Sequence, residues 1–451
     1  MKAQAVGVVN KQTNRIFKTV IPALLFALVQ WIPGTATAQG EVAIGAILPL
    51  SGRLEATGKA MRTALELVAD IANRDAPGLS MSMARWQGIP GLGGAKVRLV
   101  FADHRSDPAR GAELAGRLIS EEKVAGILGC YNSTVTKSVS SVCEKMKSPM
   151  ITSTSTAQSL TTQGNKWLWR TTPHNIYFAR DFFLFLKTLR EGRSGISYQV
   201  AAEEIGTLAL AGEDSELGDH SVELLKNLAP RYGIKPILSV RYGRNSEDLS
   251  IQTRALSKAG PGVLAMISRT SDAVLYIRTF KELGFSPKII WGHNAGYREP
   301  AFAEDLKEDA LGVLVRADFL PSLLKTIPLA RQINDLYRAK TGRDLDGVSS
   351  RAFTGLQAFL HILDKAGSTV PSAVQAAANA IEIPATELIM PWKGIRFGGE
   401  QQNEAGQNVL ASGLAAQWHI KEETGRPELE VVYPPQFATA ELMYPFPEWK
   451  K

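Results

Sequence analysis

The chain has 451 residues, 45% of them apolar and 21% charged, with 2 cysteines and a formal net charge of +7. It is too apolar for a disordered chain and too poor in cysteine for a disulfide scaffold or a four-thiolate zinc site, while its length asks for two or three folded units. How that charge is spread says more about partners than its sum.

Residues 1–38 carry Lys2, Lys11, Arg15 and Lys18 and no acidic side chain. A nearly apolar run follows over residues 19–32, and then Ala36-Thr37-Ala38. A basic end, an apolar middle and a small-residue exit predict a secretory signal peptide cut after Ala38. The run is shorter than the ~20 residues a bilayer requires and is bracketed by Pro22 and Pro33, which argues against a membrane anchor. No cysteine follows the cut, so no lipid anchor is expected there. Without this segment 47 basic face 44 acidic side chains, a net +3. No basic run with interleaved aromatics remains, and nucleic acid is not an expected partner.

Along the rest of the chain, short apolar runs suited to buried strands alternate with amphipathic stretches. Strands are predicted at 42–48, 97–102, 125–129 and 150–152. Between them fall a helix with Met61, Leu65, Val68 and Ala72 on one face, a helix from Asp107-Pro108 to Glu122, and a helix over 134–147. Residues 80–94, rich in Gly and Met, read as a surface loop. The pattern restarts with strands at 206–211, 236–241, 263–267 and 288–291, and with helices at 216–228, 246–259 and 271–283. Residues 292–299 read as a loop, 327–380 as mostly helical, and the end from Gly394 as strand-like and Pro-rich. Strands and helices alternating at this spacing predict an α/β fold with parallel sheets, in two Rossmann-like lobes.

Catalytic signatures are sparse. The six histidines show no metal-ligand spacing, so no metal or cofactor is expected. Gly52–Lys59 imitates a P-loop, but five residues separate its glycines and Ala60 stands where a magnesium-binding hydroxyl is needed. Thr134-Val-Thr-Lys137 is a weak imitation of an S-x-x-K motif. Cys130 at a strand end and Cys143 well along the next helix lie too far apart for a disulfide, so both thiols are expected to be unpaired.

The informative stretches are Tyr131-Asn132-Ser133, where a strand turns into a helix, and Thr152-Ser153-Thr154-Ser155-Thr156 at the next strand end. Helix N–H groups and hydroxyls at strand ends suit a carboxylate, and in open α/β sheets ligands sit outside the carboxyl ends of strands. The alternative stays open that Ser133 only caps its helix and the hydroxyl run is a turn.

The chain resembles the periplasmic solute-binding proteins of ABC importers for branched-chain amino acids, amides and related acids. The resemblance rests on Leu48-Pro-Leu-Ser-Gly52 with Gly58, on Phe101-Ala-Asp103, on Asp107-Pro108 and on residues 124–129. It continues through Ser148-Pro-Met-Ile-Thr152, Arg170-Thr-Thr-Pro173, Gln417-Trp418, Val431-Val-Tyr-Pro-Pro435 and Tyr444-Pro-Phe-Pro-Glu-Trp449. It implies two lobes, residues 41–172 with 319–393 and 173–318 with 394–451, joined by a three-segment hinge. The crossings fall near 171–174, 315–319 and 394–397. It further implies a non-enzymatic monomer that binds a small carboxylate-bearing solute and hands it to permease and ATPase subunits. A sensing module for a signalling partner, or a Ser/Thr-dependent hydrolase, are the other classes weighed.

Carried over by position, Ser133, Thr154 and Thr156 match the carboxylate and ammonium site, with Tyr131, Asn132 and Ser155 beside them. The acidic residue that pairs the ammonium in leucine-type binders aligns with Asn294, and their cleft aromatics with Thr57, Leu217 and Thr270. An amine cation without an anion is costly to bury, so leucine is not the expected solute. Arg269 either meets a second carboxylate or phosphate or is a surface charge. Tyr177, Glu216, His293 and Tyr297 are further neighbours of this region.

Overall fold

Two sheets grow from the two α/β runs. The computed structural model describes residues 40–192, 199–399 and 404–449. The predicted signal peptide lies outside the described residues.

The first run gives β1 (Glu41–Leu48), α1 (Glu55–Asn73), β2 (Lys96–Asp103), α2 (Pro108–Ser120), β3 (Ile127–Gly129), α3 (Ser133–Met146), β4 (Met150–Thr152) and β5 (Leu168–Arg170). Its strands form one wholly parallel sheet in the order β2-β1-β3-β4-β5. Asp107 caps α2 through Oδ1, which accepts from Ala109 N and Arg110 N at 2.8 and 3.1 Å, and Pro108 supplies the first turn.

The second run gives α4 (Asn175–Glu191), β6 (Thr207–Glu213), α5 (Glu216–Leu228), β7 (Lys235–Tyr242), α6 (Ser250–Ala259), β8 (Val263–Ile267), α7 (Thr270–Glu282), β9 (Ile289–Gly292), α8 (Pro300–Leu306) and β10 (Leu314–Ala317). Helices α9 (Pro328–Thr341), α10 (Gly347–Ala366) and α11 (Pro371–Asn379) follow, then a two-stranded ladder of β11 (Ile383–Pro384) with β12 (Gly394–Ile395). The chain closes with β13 (Leu414–Lys421) and β14 (Arg426–Tyr433). In the second sheet, β7-β6-β8-β9-β10 are parallel, and β13 and β14 add an antiparallel hairpin at the β10 edge. That hairpin departs from the parallel expectation: β13 joins the β10 edge antiparallel only after the chain has run through α9, α10, α11 and the β11–β12 ladder.

Three further departures have local causes. Helix α6 starts at Ser250 rather than 246, because Asn245 is left-handed at φ +56 and Asp248 Oδ1 accepts from Ser250 N at 2.8 Å. Residues 80–94 are not a surface loop: Met81, Met83, Ala84, Trp86 and Ile89 are buried, and Trp86 stands edge-on to His361 of α10 at 5.2 Å. Polar and glycine residues between those anchors hid them. Residues 394–395 pair with 383–384, and the chain enters the second sheet at Leu414.

The core of the first sheet is closed by α1 and α10; α10 is buried around most of its circumference from Ser349 to Leu363. Helix α4 brings Phe182, Phe183 and Phe185 under the second sheet, where Phe182 stacks on Trp291 at 4.6 Å. Cys130 and Cys143 are free and fully buried, and burial pushes the Cys130 thiol up to about 12, so neither is a ready nucleophile. No helix among the described residues is long and apolar enough to cross a membrane.

Candidate ligand-binding site

The site begins where β3 ends. Gly129 sits at φ +145, and a Cβ there would stand 2.3 Å from the Ile47 carbonyl oxygen, so only glycine lets β3 turn this closely past β1. Tyr131 then takes the left-handed region at φ +84. Ser155 Oγ donates to the Tyr131 carbonyl at 3.0 Å and shares a 2.7 Å hydrogen bond with Thr136 Oγ1, which accepts from Cys130 N at 3.1 Å. The two hydroxyl stretches are thereby clasped together behind the cavity wall.

Ser133 is the first residue of α3 and does not cap it: its Oγ accepts from Ala157 N at 3.3 Å, across to the second stretch. Asn132 holds the capping position without making a side-chain cap, and its Oδ1 is buried without a partner. Thr154 Oγ1 is likewise unpartnered although the residue is only 5% exposed. Buried polar atoms are rarely left unpaired, and unpaired ones facing a cavity mark a place for a ligand.

A cavity of about 240 Å³ opens there. Tyr131, Ser133, Thr154 and Thr156 line one side, Phe178, Arg298, Arg316 and Asp318 the other, and Arg351 reaches in from the first turns of α10. A capping box of Asp346 and Ser349 fixes that turn. Arg351 Nε bonds Asp318 Oδ2 at 3.1 Å and the Gly347 carbonyl at 2.6 Å, and Nη1 donates to the Thr154 carbonyl at 3.3 Å. Asp318 Oδ1 accepts from Phe319 N at 3.0 Å and faces Arg298 Nη1 at 3.6 Å. A Cβ on Gly347 would lie 2.3 Å from that same Oδ1, so the glycine makes room for the carboxylate.

Arg316 differs from its neighbours. Its guanidinium carbon lies 4.2 Å over the Phe178 ring, and it has no hydrogen bond or ion pair among the described residues. Burial, helped by Arg298, pushes its pKa down to about 9, which still leaves it charged at neutral pH. Three guanidiniums thus meet one carboxylate in the cavity. Behind the hydroxyl stretch Arg170, fully buried, donates to Gln407 Oε1 at 2.6 Å, to the Ala157 carbonyl and to Thr161, with no acidic partner among the described residues.

The other residues predicted from the sequence lie off the cavity wall. Ser155 is buried behind it, Thr57 is half-buried on α1, and Leu217 is exposed on α5. Thr270 begins α7, Arg269 faces the buried Glu213 carboxylate at 3.7 Å, and Asn294 Oδ1 accepts from Ser268 N at 3.0 Å. Tyr177 donates to Glu404 at 2.7 Å, Glu216 is exposed, His293 Nδ1 accepts from Trp291 Nε1 at 3.2 Å, and Tyr297 donates to Ser268 at 2.9 Å. Sequence reasoning missed Phe178, Arg298, Arg316, Asp318 and Arg351. A signal existed for two of them: an arginine inside the apolar strand β10 and another inside the apolar helix α10.

Residues 41–409 match the profile of the family described as periplasmic binding protein. The chain belongs to that family. Leu/Ile/Val-binding protein homolog 7 of Brucella abortus (strain 2308) is 27% identical over 415 residues, covering 91% of this chain and 96% of the relative. The leucine-binding protein LivK of Thermotoga maritima MSB8 has the same fold at TM-score 0.61 and 19% identity, over 87% of this chain and 99% of that one. A solute-binding protein from Rhodopseudomonas palustris BisB5, solved with 3,4-dihydroxy benzoic acid, matches at TM-score 0.60 and 15% identity, over 86% and 95%. This periplasmic binding protein therefore has the type I α/β fold of the leucine-binding structure it matches.

Proposed function

We propose that this binding protein is exported with cleavage after Ala38, captures a small carboxylate-bearing solute in the cavity between its sheets, and delivers it as a monomer to the permease and ATPase subunits of an importer. The supporting observation is a hydroxyl wall that carries the unpaired Thr154 Oγ1, set opposite an excess of guanidinium. Capture would proceed by hinge closure, the general motion of periplasmic binding proteins. The hinge would lie where the chain passes between the sheets, at residues 171–174, 315–319 and 408–414, leaving 41–172 with 319–413 as one lobe and 173–318 with 414–449 as the other.

Leucine fits this cavity poorly. Its ammonium needs an anion, and Asp318 is already engaged by Arg351 and Arg298. Asn294 supplies only an amide, and that amide is bonded elsewhere. The Rhodopseudomonas protein, with its dihydroxybenzoic acid, is an instance of this fold holding an acid that has no amine.

Thermal-shift screening of the mature protein against amino acids, aliphatic acids and aromatic acids would find the solute, because a ligand that binds only the native state raises the melting point. Thr156→Ala and Ser133→Ala are each expected to weaken the acid found by roughly 10- to 100-fold, the worth of a hydrogen bond to a charged group, with the fold retained. Unchanged affinity in both variants would remove the site assignment. Tight leucine binding by calorimetry would overturn the reading of the polar groups.

A further inference from the structure

We propose that the solute is a small diacid without an amine, one acid group held by the hydroxyl wall at Ser133, Thr154 and Thr156 and the other by Arg316. This rests on the cavity being the solute site, and it goes further by fixing the number and placement of the charges on the solute.

The first acid group has its partners waiting. Thr154 lines the cavity and its Oγ1, a hydroxyl able to donate, is unpaired in a residue only 5% exposed. The free N–H groups at the start of α3, a helix of 14 residues, point the same way. Arg170 adds an uncompensated positive charge behind this wall.

A second acid group is called for by the opposite wall. Arg298 and Arg351 share Asp318, at 3.6 and 3.1 Å, and Asp318 spends a further lone pair on Phe319 N. Arg316 lies over the face of Phe178 and has no hydrogen bond or ion pair among the described residues, feeling the Asp318 charge only from a distance. A guanidinium presents several donors in a planar fork that matches a carboxylate, so a half-buried one facing a cavity with no acceptor is an incomplete pair. Counting the lining groups, three cations oppose one anion. A monocarboxylate would leave one positive charge uncompensated, and a dianion leaves none. The same count argues against amino diacids, since no carboxylate is left over for their ammonium. Inorganic phosphate meets the same charge count with a single acid group, so it serves as the control for the two-group placement.

Calorimetry on the mature protein tests this with matched probes: glutarate against pentanoate, terephthalate against benzoate, and L-glutamate and inorganic phosphate as controls. A diacid is expected to bind roughly 10- to 100-fold tighter than its matched monoacid, the value of one added charge-assisted pair. L-Glutamate and phosphate are expected to bind more weakly than the favoured diacid. In Arg316→Gln the diacid-to-monoacid ratio falls toward one, and in Arg316→Lys, which keeps the charge but not the fork, part of the ratio returns. Melting curves on both variants separate a lost contact from a lost fold. If the wild type binds monoacids as tightly as diacids, the diacid assignment is overturned while the carboxylate site stands. If Thr156→Ala changes binding of no acid in either set, or if no acid binds at all, the cavity reading itself falls and takes this one with it.

Discussion

Arg351 and Asp318 illustrate how a buried ion pair is held in place more than it holds the protein together. Asp318 is 4% exposed and Arg351 6%, so each has lost most of its hydration. The 3.1 Å contact and three further hydrogen bonds offset that loss. Removing one partner strands the other: Arg351→Met is expected to cost about 3 kcal/mol in urea unfolding, with Arg298 providing partial cover for the abandoned carboxylate. Adding Asp318→Asn to that variant should recover part of the loss, and a double variant as unstable as the sum of the singles would show that the pair is not coupled. At this scale the sequence exposed half of the cavity. Tyr131, Ser133, Thr154 and Thr156 could be read because hydroxyl residues at strand ends are a local pattern. For Arg351 the only local sign is an arginine in an apolar helix; its approach to the Thr154 carbonyl, across 197 residues of chain, leaves no local record.

Among the elements, the β3–α3 turn sets the position of everything on the hydroxyl wall. Gly129 is both in a φ range closed to other residues and within 2.3 Å of a clash with β1. Gly129→Ala is expected to destabilise the fold by about 2 kcal/mol or more and to weaken acid binding by displacing Tyr131 and Ser133, both read from one titration series of melting curves. A variant with wild-type melting point and affinity would mean that the turn has room to adjust. Elements with clean periodicity, such as α1, α2 and the central strands, were legible in advance. Helix α4 was not, because Phe178, Phe182, Phe183 and Phe185 bury several of its faces and erase the amphipathic stripe. Strand β5, only three residues long, is too short to show a period.

For the whole molecule, acid sensitivity follows from its histidines. His104, His174, His293, His361 and His419 are all held below the ordinary histidine value chiefly by burial, and His174 is pushed down to about 3. In the unfolded chain each would titrate near ~6.5. As pH falls through that value the unfolded state takes up protons that the native state refuses, so stability present above it is lost below. The melting temperature is therefore expected to drop between about pH 7 and about pH 5. The raised carboxyls of Asp181 and Asp272 work in the opposite sense but as two groups against five. His174→Gln should flatten part of the slope, and a melting temperature independent of pH over this interval would contradict the account. The two-sheet architecture was legible from the alternation of elements. The hairpin at the β10 edge was not, since strand direction is decided by distant pairing.

The contrast between the cavity arginines also bears on how such a protein diversifies. Arg351 is tied into the capped turn of α10 and into Asp318, so exchanging it disturbs architecture. Arg316 makes no hydrogen bond or ion pair among the described residues and rests on the face of Phe178, so exchanging it disturbs the fold less. A descendant could change its solute by a single substitution at that position, keep its fold, and begin selection for a new ligand from a protein that still folds.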